Sequence, residues 1–259
     1  MNIEMENSND LLRVEDVSKS FGKMLAVNQC SLNVTEGTIT ALIGPNGAGK
    51  TTLFNIISGF HKPDNGKVFL KEDRIDGLRP DNIFHKGLIR TFQISRELEK
   101  MTLLENLMLV PAHQEGEWIW NSWFRPWRVR IQEEKVKERA FETLRFVELY
   151  QLKDEYAGNL STGQKRLLEI ARTMMADPDI ILLDEPGAGV NPTLMNKLIG
   201  YIHRLNDQGK TFLIVEHNMD LVMSLCNPII VMNAGSILTQ GTPQQIRNDE
   251  RVINAYLGD

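Results

Sequence analysis

The segment Gly44-Pro45-Asn46-Gly47-Ala48-Gly49-Lys50-Thr51-Thr52 holds two glycines separated by four residues, followed by Lys and Thr. This is the pattern of a phosphate-binding loop. Glycines let the backbone wrap close to an anion, so that successive N–H groups point inward. A helix that starts at the end of the loop adds its positive N-terminus. Lys50 would supply a point charge to the β and γ phosphates of a nucleotide, and the Thr51 hydroxyl would ligate Mg²⁺. Further along, the apolar run Ile180-Ile181-Leu182-Leu183 ends in Asp184-Glu185. A carboxylate at the end of a buried strand can hold Mg²⁺ through water, the role expected of Asp184. Glu185, one residue on, could polarise an attacking water. Leu160-Ser161-Thr162-Gly163-Gln164 opens a helix shortly before that run. Ser161 is a natural N-cap, and Gly163 leaves room for an anion at the helix start.

The elements that must hold these residues follow from periodicity. Thr38–Ile43 is a short, nearly continuous apolar run, as expected of a strand buried on both faces, and it feeds the glycine loop. A helix is expected from about Lys50 to Ser58. Buried strands are expected at Ile180–Leu183 and Thr211–Val215, and a hairpin at Ile229–Met232 and Ser236–Thr239. Helices are expected over Ser161–Ala176, Pro192–Gln208 and Asn218–Leu225. Before the loop, Leu11–Val17 alternates as a strand, and Met24–Val34 reads as a second strand broken around Asn28-Gln29. Lys67–Lys71 is another short strand, and Pro80 starts a helix over Asp81–Lys86. The middle third is helical. Thr102 and Glu105 make a capping box. Val136, Ala140, Phe141, Leu144 and Val147 form one stripe of a long charged helix over Gln132–Leu149. The expected fold class is therefore α/β, with an N-terminal antiparallel β part and a helical subdomain inserted at roughly 94–158 of a single domain spanning 1–259.

Composition excludes several classes. At 259 residues the chain is long enough to need no staples, and a 42% hydrophobic share is ordinary for a globular protein. The net charge of −5 argues against a nucleic-acid backbone as partner. Cys30 and Cys226 are the only cysteines, too few for a disulfide framework or a four-cysteine zinc site, so the chain reads as cytosolic. No run reaches the ~18 apolar residues of a membrane span. The first ten residues hold Glu4, Glu6 and Asp10 and no Lys or Arg, so no secretory signal is expected.

With the phosphate loop, Leu160–Gln164 and Asp184-Glu185 in this order, the sequence resembles the ATP-binding-cassette (ABC) ATPases. Their signature Leu-Ser-Gly-Gly-Gln matches Leu160–Gln164, with Thr162 in place of the first glycine. The resemblance covers essentially the whole chain and implies P-loop NTPase architecture with ATP and Mg²⁺ as cofactors. It implies that Phe21 stacks on adenine. Gln93, in Arg90-Thr91-Phe92-Gln93, would reach Mg²⁺ and the attacking water. His217 would be the switch histidine at the γ-phosphate, and Gly187–Pro192 the loop joining two subunits, with Asn191 where Asp is common. Ser161, Thr162, Gly163 and Gln164 of one subunit would close on the nucleotide held by Lys50 of the other. The partners implied are a second ATPase subunit, identical or different, transmembrane permease subunits and, indirectly, a periplasmic solute-binding protein. The location implied is the cytoplasmic face of the inner membrane.

Finer resemblances lie in Gln164–Arg172, Gly87–Gln93, Asn191-Pro192 and the tail from Gly241 to Gly258. These are similar to the ATPases of branched-chain amino-acid importers. Related cassettes serve urea or amide uptake and lipopolysaccharide export, and others work in the cytosol without a transporter. A P-loop kinase would leave Ser161-Thr162-Gly163 and His217 without a role. One feature belongs to no motif. Trp118, Trp120, Trp123 and Trp127 are the only tryptophans, and Trp120, Trp123, Phe124 and Trp127 share one helical face that Pro126 would break or restart. The stripe fits either the helical core or an aromatic patch, flanked by Arg125, Arg128 and Arg130, that meets a partner.

Overall fold

A computed structural model of the chain describes residues 9–91, 98–111 and 126–257. The elements begin with β1 (Asp10–Phe21), β2 (Met24–Thr35), β3 (Ile39–Ile43), α1 (Lys50–Ile57), β4 (Asn65–Leu70), β5 (Asp73–Arg74), α2 (Pro80–His85) and β6 (Leu88–Arg90). Three helices follow: α3 (Leu103–Met108), α4 (Pro126–Phe146) and α5 (Thr162–Ala176). The chain continues through β7 (Ile180–Asp184), α6 (Pro192–Asp207), β8 (Thr211–Val215), α7 (Met219–Leu225), β9 (Ile229–Asn233), β10 (Ser236–Gly241), α8 (Pro243–Arg247) and α9 (Glu250–Leu257). Two compact units result, one of residues 1–93, 179–189 and 202–259, the other of 94–178 and 190–201.

The first unit contains both sheets. β2, β1, β4 and β5 form an antiparallel sheet in that order. The second sheet runs β10-β9-β3-β8-β7-β6. Within it β9, β3, β8, β7 and β6 pair in parallel, and β10 is the antiparallel edge. Every residue of β3, β7 and β8 is buried, which is why these strands read as nearly continuous apolar runs. Parallel pairing puts the C-terminal ends of β3, β6, β7 and β8 on one edge of the sheet, the edge where open α/β sheets bind ligands. The first turns of α1 anchor that edge, with Leu53 and Phe54 fully buried. Each such side chain contributes roughly 1.5–3 kcal/mol of burial.

Two N-terminal expectations are corrected in detail. β1 does not stop at Val17 but runs on through Ser18-Lys19-Ser20 to Phe21. Its polar end is held by Asp64, which accepts from Ser20 N–H at 2.7 Å and from Lys19 Nζ at 2.7 Å. β2 is not broken at Asn28-Gln29. The register steps from Val17↔Cys30 to Lys19↔Val27, so the two polar residues form a bulge in a continuous strand. Gln29 adopts φ 46, and its N–H donates to Ser18 Oγ at 3.0 Å.

The second unit is helical. Leu103, Leu107, Ala140, Leu144, Val147, Leu168 and Ala171 are fully buried and form its core. The α4 stripe read from the sequence therefore faces inward. Thr102 and Glu105 form the expected capping box on α3. Among the described residues α4 begins at Pro126, the first helical position, where a proline is tolerated. Trp127 is 61% exposed. Trp118, Trp120, Trp123 and Phe124 lie outside the described residues. Among the described residues no helix is long and apolar enough to cross a membrane.

Candidate functional site

The glycine loop leaves β3 and enters α1 in a conformation only glycine tolerates at two points. Gly44 has φ +150, and a Cβ there would lie 2.1 Å from the Met232 carbonyl oxygen. Gly49, at the N-cap of α1, has φ +99, and a Cβ there would lie 2.3 Å from the Ala26 carbonyl oxygen. The loop is thus wedged against β9 and β2. It is also tied by Gly235 N–H donating to Ala48 O at 3.0 Å. Asn46 and Gly47 are exposed, while Pro45 and Ala48 are buried. Thr51 is exposed at the first turn of α1, and Thr52 is half-buried.

Lys50 is only 5% exposed. Its Nζ donates to Gly44 O at 2.8 Å and Pro45 O at 2.9 Å, so the ammonium lies within the loop. Burial pulls this lysine below its usual 10.5, and the Glu185 carboxylate nearby pulls it back up. A cation with so little water around it is a strong site for an anion.

The acidic pair ends β7 on the same sheet edge. Asp184 is 8% exposed. Its Oδ2 accepts from Arg90 Nη2 at 2.7 Å, and the two side chains are 10% and 8% exposed. Arg90 Nη1 also donates to Asn55 Oδ1 on α1 at 2.6 Å and to Ser58 Oγ at the C-cap of α1 at 3.1 Å. Arg90 therefore joins β6, β7 and the helix of the phosphate loop. Sequence reading used Arg90 only as a family marker, because its partners are distant along the chain. Glu185 has φ 48 and leaves the sheet at once. Its Oε1 lies 3.1 Å from His217 Nε2, so the expected base and the expected switch histidine are in contact. His217 follows β8 by two positions, and Asn218 caps α7 by accepting from Leu221 N–H at 3.1 Å.

Phe21 closes β1 and is 42% exposed. Its ring meets His61 edge-on at 5.4 Å, and Lys19 Nζ lies 5.8 Å from the ring centroid. At the other end of the chain, burial raises the Tyr256 hydroxyl, and a hydrogen bond with the Gly44 backbone lowers it. This contact from α9 to the phosphate loop has no signal in the sequence. Gln93 lies outside the described residues.

Ser161–Gln164 belongs to the helical unit. Ser161 caps α5, accepting from Gln164 N–H at 3.3 Å, and the Gln164 side chain accepts from Ser161 N–H at 2.9 Å. The expected cap is thus a full capping box. Ser161 and Thr162 are exposed, and a Cβ on Gly163 would touch Leu194 Cδ2 at 3.0 Å. Asn191 caps α6, accepting from Leu194 N–H at 2.9 Å, a role that needs its oxygen and no charge.

Residues 27–188 match the family described as ABC transporter, and residues 236–259 match the family described as branched-chain amino acid ATP-binding cassette transporter. The chain is 43% identical over 248 residues to the probable branched-chain amino acid transport ATP-binding protein LivG of Archaeoglobus fulgidus, covering 96% of this chain and 95% of that protein. It is 42% identical over 253 residues to the high-affinity branched-chain amino acid transport ATP-binding protein BraF of Pseudomonas aeruginosa, with 97% and 99% covered. A crystal structure of a nucleotide-free ATP-binding cassette from an ABC transporter superimposes with a TM-score of 0.81 at 39% identity, covering 96% of this chain and 100% of that one. The ADP conformation of another such cassette gives 0.81 at 37% identity, with 96% and 99% covered. An exposed histidine in contact with the glutamate that follows β7 thus lies on the same sheet edge as a glycine loop with a buried lysine. With matches across nearly its whole length, the chain belongs to the ABC transporter family, as one of its ATP-hydrolysing cassettes.

Proposed function

We propose that this cassette hydrolyses ATP to drive uptake of branched-chain amino acids through membrane subunits it docks on. The amino-acid class rests on the C-terminal family match at residues 236–259 and on the names of the relatives. The whole chain acts as one cassette, with residues of about 94–158 as its inserted helical part. Lys50 and the loop from Gly44 to Thr52 hold the phosphates, and Phe21 supports adenine. Water attacks the γ-phosphorus, the bond to the bridging oxygen of ADP breaks, and Glu185 takes the water proton. His217 steadies the charge that develops on the γ-phosphate. Gln93 belongs to the same reading through its family position. Ser161, Thr162, Gly163 and Gln164 of a second cassette, identical or different, complete the site from across the dimer. The cassette then lies at the cytoplasmic face of the membrane, and a periplasmic solute-binding protein takes part only indirectly.

Mg²⁺ takes oxygen donors and keeps substrate phosphates and waters in its shell, so one hydroxyl and one carboxylate suit it. Thr51 and Asp184 are donors of that kind, and Arg90 holds the Asp184 side chain in one orientation. When bound, the ion would offset negative charge on the β and γ phosphates.

What supports the reading most is the 3.1 Å approach of Glu185 Oε1 to His217 Nε2. The test is Glu185→Gln, which keeps the size and removes the base. It is expected to bind MgATP, to accumulate as a dimer on gel filtration, and to lose roughly 10²–10⁴-fold in turnover. Near-normal hydrolysis would remove Glu185 from this role. The solute is tested by ATPase stimulation of the assembled, vesicle-reconstituted complex with leucine, isoleucine or valine against urea.

A further inference from the structure

Glu216 is a buried carboxylate that the reaction above does not use. It is the first residue past β8 and only 4% exposed. A carboxylate so far from water is costly unless its oxygens are satisfied. Here both are, by backbone donors from two different loops. Oε1 accepts from Gly187 N–H at 2.8 Å, in the turn that follows Glu185. Oε2 accepts from His217 N–H at 2.7 Å and from Asn218 N–H at 3.0 Å. These are short, charge-assisted bonds. The Cys226 thiol is pushed up to about 12, by burial first and by the Glu216 charge second.

The location gives these bonds a consequence. The turn after β7 carries Glu185 at its start, with Ala188 N–H donating to Glu185 O at 3.0 Å. The turn after β8 carries His217. Backbone pairing between the two strands ends at Glu185 N–H to Val215 O, 2.9 Å. Beyond that point, the contact between Glu185 and His217 needs both turns to be held in register. Glu216 spans them, and its two oxygens address one turn each.

We propose that Glu216 is a positioning residue, which locks the turn of Gly187 to the backbone of His217 and so sets the approach of His217 to Glu185. This rests on the roles assigned above to Glu185 and His217. It also joins the 187–192 loop, expected at the dimer contact, to the histidine that faces the γ-phosphate, through one carboxylate.

Glu216→Gln tests the idea with little change in shape. An amide has one acceptor oxygen, and its NH₂ cannot accept from a backbone N–H. One of the two turns must therefore lose its bond. The expected result is a fall in kcat of about ten- to a hundredfold, with the KM for ATP changed less than about twofold. In a His217→Ala background the same substitution is expected to change kcat less than about twofold, because the residue it positions is gone. Equal losses in both backgrounds, or a loss carried by KM, would overturn the positioning role. If His217→Ala alone leaves kcat unchanged, the histidine assignment fails and takes the proposal with it. A kcat loss for His217→Ala with none for Glu216→Gln would overturn this proposal alone. Amide hydrogen exchange of the unsubstituted protein is independent of whether the variant folds. The Gly187, His217 and Asn218 amides should exchange slowly without nucleotide, and fast exchange at Gly187 would refute the link.

Discussion

Replacing Arg90 with Met is the sharpest test of how the acidic pair is held. Arg90 and Asp184 lie 2.7 Å apart with side chains 8% and 10% exposed. Removing one partner of such a pair leaves a charge buried without compensation, at a cost of about 3–5 kcal/mol. Met keeps the length and apolar stem of the side chain, so lost packing adds little. The bonds to Asn55 and Ser58 also go, which places the expected loss in the upper half of that range. Asp184→Asn removes the charge on the other side. The double variant should then be less destabilised than the sum of the singles by about 2–3 kcal/mol. Urea unfolding followed by far-UV circular dichroism is the assay, since all four tryptophans lie between residues 118 and 127 and report on one segment. A nucleotide titration with and without Mg²⁺ adds a second readout. Arg90→Met should weaken the Mg²⁺-dependent part of binding more than the Mg²⁺-free part, because Asp184 loses its orientation. A single-variant loss under about 1 kcal/mol, additive with Asp184→Asn, would refute the argument that this pair is a buried clamp.

Three further outcomes are expected. Gly49→Ala puts a Cβ 2.3 Å from the Ala26 carbonyl at φ +99, so it should abolish nucleotide binding in a titration, and retained affinity would contradict the loop geometry. Lys50 ionises below its usual 10.5 in the free protein, whereas bound phosphates favour its charged form. Nucleotide affinity should therefore be full below the free-state value and decline as pH rises through it, starting under 10.5, and Glu185→Gln should move the decline lower still. Affinity that holds until the pH passes 10.5 would refute the burial argument. Trp127 is 61% exposed, so acrylamide should quench its share of the intrinsic emission of the isolated subunit, and Trp127→Phe should lower the quenchable emission by that share. Emission that resists quenching would contradict its exposure.

Much of the site is legible along the chain because its signals are local. Glycine spacing, an apolar run before the loop and Lys-Thr after it are covalently adjacent, and the same holds for Ile180–Glu185. Ser161, Thr102 and Asn218 announce helix starts through the chemistry of the first turn alone. The polar Asn28-Gln29 pair misled for the same reason: local polarity looks like a strand break, whereas two flanking strands absorb it as a bulge. What tertiary structure decided is which strand ends meet. β3, β7 and β8 are buried throughout and mostly apolar, so nothing in their composition encodes the order β3-β8-β7-β6. Only that order sets Glu185 against His217, brings Arg90 to Asp184 across 94 positions of chain, and lets Glu216 reach the turn of Gly187. Residues that do chemistry are recognised by type and spacing, but those that hold them are recognised by partners. Those partners come from parallel pairing between strands far apart in sequence.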